Sequence, residues 1–181
     1  MPNNNIKHPL LIVYTGDGKG KTSSAMGLVM RGVAHQKKVA VFQFIKSDNL
    51  KTGEKILSKK LGVRWENFGT GFLYSDEEFE KAKSIFIKGW IVAKEAIVSG
   101  KYHLVVLDEL TYLLNNQTID LDEVIGFFES LKQNPNRPHV VITGRGAPKR
   151  LIEISNLVSE INSIKHPFDS ENIEAQKIIE Y

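Results

Sequence analysis

The sequence predicts an α/β, P-loop NTPase-like fold in three layers, with a mainly parallel central sheet and helices on both faces. Three observations carry that expectation. Apolar, β-branched runs alternate with longer amphipathic stretches, the order that builds parallel sheets through crossover helices. Several runs are apolar at consecutive positions, which marks strands covered on both faces. The first run, Leu10-Leu11-Ile12-Val13-Tyr14, leads straight into Thr15-Gly16-Asp17-Gly18-Lys19-Gly20-Lys21-Thr22, a glycine-rich loop closing on Gly-Lys-Thr as phosphate-binding loops do.

In chain order, strands are expected over 10–15, 39–44, 63–68, 104–108 and 140–143, with a weaker one near 157–161. A helix over 23–35 runs out of the loop. A long helix over 75–99 opens on a capping box of Ser75 and Glu78, with Asp76 and Glu77 adding negative charge at its positive end. Gly100 stops it. Asp120 with Glu123 opens another helix, which ends before Asn134-Pro135. At 181 residues the chain reads as one domain spanning 1–181. Residues 1–9 are expected to be flexible, and the polar tail 166–181 is expected near the site.

Composition narrows the chemistry. A hydrophobic fraction of 41% and a charged fraction of 25% are those of an ordinary globule. The net charge of +3 suits a small anion as well as a nucleic acid, so it selects neither. The absence of cysteine excludes disulfides, thiolate zinc sites, iron–sulfur clusters and cysteine nucleophiles. No apolar run approaches the ~20 residues that span a bilayer, and the polar start Met1-Pro2-Asn3-Asn4-Asn5 lacks a signal peptide's apolar core. A cytoplasmic protein without a membrane partner is expected. His8, His35, His103, His139 and His166 show no pair at metal-ligand spacing. Lys37-Lys38 and Lys59-Lys60 have no interleaved aromatics, so no nucleic-acid partner is expected. Trp65 and Trp90 read as core.

The phosphate loop is one residue short. The pattern G-x-x-x-x-G-K-[ST] needs glycine at position 15, where this chain has Thr15; counted from Gly16 the spacing is G-x-x-x-G-K-T. Gly16, Gly18 and Gly20 allow backbone conformations closed to other residues, so their N–H groups can form an anion nest at the positive start of a helix. Lys21 is the point charge for phosphate, Lys19 a second cation, and Thr22 a hydroxyl for magnesium. Asp17 would repel phosphate from inside the loop and is expected on ribose or a backbone N–H. The plain alternative is a tight glycine turn between strand and helix.

Two further strand ends support the loop. Leu104-Val105-Val106-Leu107 ends in Asp108-Glu109, the delivery of carboxylates that magnesium sites beside phosphate loops use. The alternative for Asp108 is a cap on the following turn. Val140-Val141-Ile142-Thr143 leads into Gly144-Arg145-Gly146-Ala147-Pro148, where Arg145 either holds a phosphate or occupies a surface turn.

The segments TGDGKGKT, VFQFIK, GTGF, VVLDELTY, VITGRG, VSEI and KHPFD stand in that order from about residue 10 to residue 169. Together they resemble the ATP:cob(I)alamin adenosyltransferases of the P-loop type, in which the shortened loop is a family trait. The resemblance implies that cob(I)alamin, or a related corrinoid, attacks the 5′ carbon of the ATP ribose and tripolyphosphate leaves. It implies ATP lying in the loop reversed relative to ordinary P-loop proteins. The candidate ATP contacts are then Gly16, Asp17, Gly18, Lys19, Gly20, Lys21, Thr22, Ser23, Arg31 and Arg145, with Lys19 and Lys21 as the candidate catalytic residues. Thr22 and Glu109, with Asp108 close by, match the ligands of magnesium or manganese. Gly71, Phe72 and Tyr74 match the corrinoid side, where aromatics displace the lower axial ligand of cobalt so that it accepts an electron more easily.

Some positions depart from the family. Tyr74 stands where some relatives have tryptophan, Ser23 where members often carry threonine, and Ser47 where many have glycine; the ending 172–181 lacks the usual glycines. Two readings stay open for Arg31, a nucleotide contact or a helix-surface salt bridge. Read without the family, Phe72-Leu73-Tyr74 is a loop tucking aromatics into the core. The resemblance further implies a homodimer and an external electron donor, a flavoprotein, since the chain has neither cysteine nor a flavin motif. The competing functions are a P-loop phosphotransferase or ATPase, for which no dedicated base is visible, and an ATP-gated corrinoid binder without turnover.

Overall fold

A computed structural model describes residues 8–47, 52–71 and 76–180, apart from the side chains at 76 and 78. The capping box of Ser75 and Glu78, and residues 1–7 of the start expected to be flexible over 1–9, lie outside the described residues. From Pro9 the chain is tied down, because its carbonyl accepts a hydrogen bond from Arg137 Nη2 at 2.8 Å.

In chain order the elements are β1 (Leu11–Thr15), α1 (Lys21–Ala34), β2 (Val39–Ser47), α2 (Gly53–Lys60), β3 (Arg64–Gly69), α3 (Asp76–Val98) and β4 (Leu104–Asp108). There follow α4 (Leu110–Asn115), α5 (Leu121–Leu131), β5 (His139–Thr143), α6 (Lys149–Ile154), β6 (Leu157–Glu160) and α7 (Pro167–Glu171). The six strands form one sheet in the order β3-β2-β4-β5-β1-β6. Every pairing in it is parallel, so the expected architecture holds and all carboxyl ends lie on one edge.

Strand alternation divides the core in two. Ile12, Val41, Val106 and Val141 face the side covered by Ala25, Met26 and Val29 of α1. Leu11, Val13, Phe42, Phe44, Leu107 and Ile142 face the other side, covered by α3, α4 and α5. Both residue sets are apolar, which is why the strands read as unbroken hydrophobic runs. On α3 the buried positions Ala82, Phe86, Trp90, Ala93 and Ile97 recur every three or four residues, the stripe of a helix lying on a sheet. Both tryptophans are buried as expected, with Trp90 Nε1 donating to Glu123 at 2.8 Å.

Four helices carried no legible signal. α2, α4, α6 and α7 have eight, six, six and five residues, too short to show periodicity. β6 is exposed along its whole length and holds to the sheet through β1 alone among the described residues. No described helix is long and apolar enough to cross a membrane.

The close contact of α3 with β3 gives a contrast that thermal denaturation can read. A Cβ at Gly89 would stand 2.6 Å from Phe68 Cγ and 2.7 Å from its Cβ, whereas at Gly126, in α5, it would meet nothing within 4 Å. Gly89→Ala should destabilise by about 1–3 kcal/mol. Gly126→Ala should stabilise by up to about 1 kcal/mol through helix propensity. Equal melting temperatures for the two variants would contradict this packing.

Candidate active site

β1 delivers the loop and α1 receives it. Thr15 is buried, and its Oγ1 accepts from the Ala147 N–H at 3.0 Å, which ties the segment after β5 to the loop's entrance. Gly20 carries φ +114° and opens α1. The first turn of α1 has no capping side chain and no acidic residue, so its N–H groups and dipole are left for an anion. Gly16 and Gly18 serve close approach. A Cβ at Gly16 would stand 2.5 Å from the Ile161 carbonyl oxygen, and one at Gly18 2.7 Å from that of Asn162. The Gly18 N–H donates to the Ile161 carbonyl at 2.7 Å. That amide therefore points out of the loop rather than into the nest, because the chain beyond β6 presses against it.

Lys21 is the first residue of α1 and is 7% exposed. Its Nζ donates to the carbonyls of Gly16 at 2.7 Å and Gly18 at 2.6 Å. Burial lowers its pKa and the nearby Arg145 adds to that, opposed by Glu109, Asp17 and Asp108. The ammonium thus sits inside the curve of the loop, with carbonyl partners that an incoming phosphate oxygen can replace.

Two adjacent carboxylates behave differently. Asp108 closes β4 and is wholly buried. Its Oδ1 accepts from Thr22 Oγ1 at 2.9 Å and Thr143 Oγ1 at 2.6 Å. Its Oδ2 accepts from Gln43 Nε2 at 2.7 Å. Glu109 follows with φ +63°, a left-handed residue at the start of α4, and its N–H donates to Thr143 Oγ1 at 3.0 Å. Among the described residues nothing donates to its carboxylate. Burial raises the pKa of Glu109, Asp108 adds to the rise, and Lys21, Lys46 and Arg145 oppose it. Asp108 already accepts from three donors, whereas Glu109 keeps free lone pairs among the described residues. Thr22 spends its proton on Asp108 and retains lone pairs as well. The two supply hard oxygen donors of the kind that hold magnesium beside phosphates.

The outer rim is ionic. Lys19 Nζ lies 2.5 Å from Glu180 Oε1, and the Arg145 guanidinium 4.0 Å from the Asp17 carboxylate, both of these largely exposed. A cavity of about 380 Å³ opens between Asp17, Lys19 and Arg145 on one side and His166 and Phe168 of the tail on the other. Ser23 is exposed on α1. Arg31 is exposed in the last turn of that helix, ten residues beyond Lys21 and so about 15 Å away by helical rise. Gly71 has φ +110° and its N–H donates to the Ile45 carbonyl at 3.2 Å. Phe72 and Tyr74 lie outside the described residues. His103 and His139 each accept a backbone N–H at Nδ1, which makes them structural. Among the described residues no three His, Asp or Glu side chains cluster as a metal site.

Sequence reasoning missed Gln43, Asn67, Thr143 and Glu180. Gln43 had a signal, being the sole polar residue in the run from Val39 to Phe44. Glu180 had only the expectation that the tail lies near the site, since its pairing with Lys19 arises on folding.

The raised pKa of Glu109 has a stability consequence. A carboxyl whose folded pKa exceeds its unfolded value lowers stability as pH rises from the unfolded pKa through the folded one, and the penalty is complete above both. In the nucleotide-free protein Glu109→Gln should raise the melting temperature at pH 7 by about 1–4 °C, and the gain should vanish near pH 4. A gain that persists undiminished at pH 4 would show that the carboxyl's ionisation is not the cause.

Comparison with known proteins places this chain in a family. The family described as ATP:corrinoid adenosyltransferase BtuR/CobO/CobP matches residues 7–181. A corrinoid adenosyltransferase of Escherichia coli K12 is 37% identical over 172 residues, covering 95% of this chain and 85% of the relative. One from a Sinorhizobium species is 38% identical over 175 residues, covering 95% and 80%. The corrinoid adenosyltransferase CobA of Salmonella typhimurium LT2 is 37% identical over 172 residues, covering 95% and 85%. Among solved structures, the flagellar accessory protein FlaH of Methanocaldococcus jannaschii superposes with a TM-score of 0.55 at 13% identity, covering 84% of this chain and 71% of that one; this likeness bears on the fold alone. The chain belongs to the ATP:corrinoid adenosyltransferase family and is a transferase.

Proposed function

We propose that this chain transfers the 5′-deoxyadenosyl group of ATP to cob(I)alamin or a related corrinoid, giving adenosylcobalamin and tripolyphosphate, in cobalamin biosynthesis or salvage. The observation that carries the reading is the buried Lys21 ammonium, held in the curve of the loop by the Gly16 and Gly18 carbonyls. This is a trap for an anionic chain. In the reaction the cobalt lone pair forms a bond to C5′, the C5′–O bond breaks, and its electron pair leaves with the tripolyphosphate.

Negative charge therefore gathers on the phosphate end. Lys21, Lys19 and the free amides of α1's first turn are placed to stabilise it where it develops. Lys19 must first release Glu180. Thr22 and Glu109 would hold a magnesium or manganese ion, with Asp108 fixing Thr22 rather than ligating. Such an ion supplies further neutralisation of the leaving group. Phosphoryl transfer exposes the terminal phosphate to an acceptor. Adenosyl transfer instead requires the triphosphate to be enclosed and the ribose carbon to be presented. Gly16, Asp17, Gly18, Gly20, Ser23 and Arg145 line or border this nucleotide site. Arg31 stands apart in this chain and contributes only if a second copy brings it near, which a homodimer would allow.

The corrinoid belongs beyond β3, where Gly71, Phe72 and Tyr74 follow the strand. The chain has no cysteine, so the electron that makes Co(I) comes from a separate donor, a flavoprotein. We place the enzyme in the cytoplasm.

Anaerobic incubation with ATP, magnesium and cob(I)alamin tests the whole reading. The corrinoid spectrum should change to that of the alkylated form while tripolyphosphate accumulates; ADP with phosphate, and no change in the corrinoid, would sink it. Lys21→Ala should lower turnover by at least about 10²-fold with an unchanged circular dichroism spectrum, and near-normal turnover would remove Lys21 from the site. Phe72→Ala should slow reaction from cob(II)alamin with a reductant more than from pre-reduced cob(I)alamin, whereas equal losses would leave it without a role in ligand displacement.

A further inference from the structure

Across the carboxyl edge of the sheet, polar side chains replace the apolar core in one transverse row. Asn67 of β3 stands in register with Gln43 of β2, and Gln43 with Asp108 of β4. Their hydrogen bonds all run one way. Trp65 Nε1 donates to Asn67 Oδ1 at 3.0 Å, Asn67 Nδ2 to Gln43 Oε1 at 2.9 Å, and Gln43 Nε2 to Asp108 Oδ2 at 2.7 Å. Asn67 Nδ2 also donates to the Lys46 carbonyl at 3.2 Å. Gln43 is 1% exposed and Trp65 6%.

An ionised carboxylate only accepts, so Gln43 must present its NH₂ to Asp108, and its oxygen must then face away. Asn67 supplies the donor for that oxygen. Trp65, which can only donate, fixes Asn67 in turn. Without this chain the Gln43 amide could turn and aim its oxygen at the buried carboxylate. At the other end, Asp108 Oδ1 accepts from Thr22 Oγ1, which orients the remaining lone pairs of Thr22. Three side chains on two strands thus set the direction of one hydroxyl in the phosphate loop, and each donor polarises the next.

We propose that Gln43 and Asn67 are positioning residues of the nucleotide site: the row from Trp65 to Asp108 holds Thr22 Oγ1 in the orientation that receives a divalent cation bound to the triphosphate. The proposal rests on the reading of Thr22 as a cation ligand. It assigns a task to β2 and β3, the strands farthest from β1 in the sheet, and it makes Trp65 a reporter of events at the loop.

Asn67→Asp is the diagnostic change. It keeps the size and the acceptor for Trp65 but loses both donors. Binding of Mn²⁺ with ATP, followed by the electron paramagnetic resonance of free manganese, should weaken by about tenfold, and the melting temperature in the absence of nucleotide is measured alongside. In turnover the KM for Mg·ATP should rise, while kcat recovers at saturating metal. Trp65 emission, taken as the difference between the protein and its Trp65→Phe variant, should shift on adding Mg·ATP and should stay still in the Asn67→Asp background. Should Asn67→Asp fail to fold, Asn67→Val takes its place with the same criterion.

Unchanged Mn·ATP affinity in a folded variant overturns the proposal, as does a Trp65 response that survives the substitution. If the unsubstituted protein binds no Mn·ATP, the reading of the loop itself fails and the proposal falls with it. Binding by the unsubstituted protein that is equal in the variant condemns the relay alone.

Discussion

The buried carboxylate of Asp108 is the point from which the site is organised. An ionised group taken out of water is costly unless donors surround it, and here three donors from three elements do so. Thr22 brings α1, Thr143 brings β5 and Gln43 brings β2. The cost of burial is thereby turned into geometry, because each of those elements must arrive in register for the charge to be tolerated. The phosphate loop inherits its position from that requirement. It is held at its far end by Thr22, and at its near end by Thr15 through the Ala147 N–H.

Backbone handedness separates two carboxylates that the sequence leaves side by side. Asp108 ends an extended strand, whereas Glu109 takes φ +63°, a conformation that costs a side-chain-bearing residue something and that active sites retain. The turn sends Asp108 inward to the hydrogen-bonded knot and leaves Glu109 outside it, where its charge still acts on Lys21. One strand end thus offers two functions, a fixed scaffold charge and an acceptor still free to take a cation. The raised pKa of the second and the three donors on the first are two expressions of one change in chain direction.

Much of this was legible in the chain itself, and the reasons are specific. β1, its loop and α1 are local in sequence, and a glycine-rich segment between an apolar run and a helix has few other uses. The end of β4 was legible because two carboxylates after four apolar residues are conspicuous. What stayed hidden depends on elements that meet only after folding. Nothing in Gly18 announces that its amide serves Ile161, and nothing in Glu180 announces Lys19. Asn67 looked like an ordinary strand residue, since its importance comes from standing opposite Gln43. The division of labour between Asp108 and Glu109 was legible only through the resemblance, because adjacency in sequence says nothing of a left-handed turn between them.

The order of strands bears on how the enzyme comes into being. β1 carries the phosphate loop, yet its sheet neighbours are β5 and β6, with Leu11 paired to Val140 and Ile12 to Leu157. Pairings across so long a separation form late, since the intervening chain must close first. During translation the motif emerges before the strands it lies against. Until β5 and β6 exist the loop lacks the neighbours that fix its position, so a bound anion rewards completion of the fold rather than its beginning.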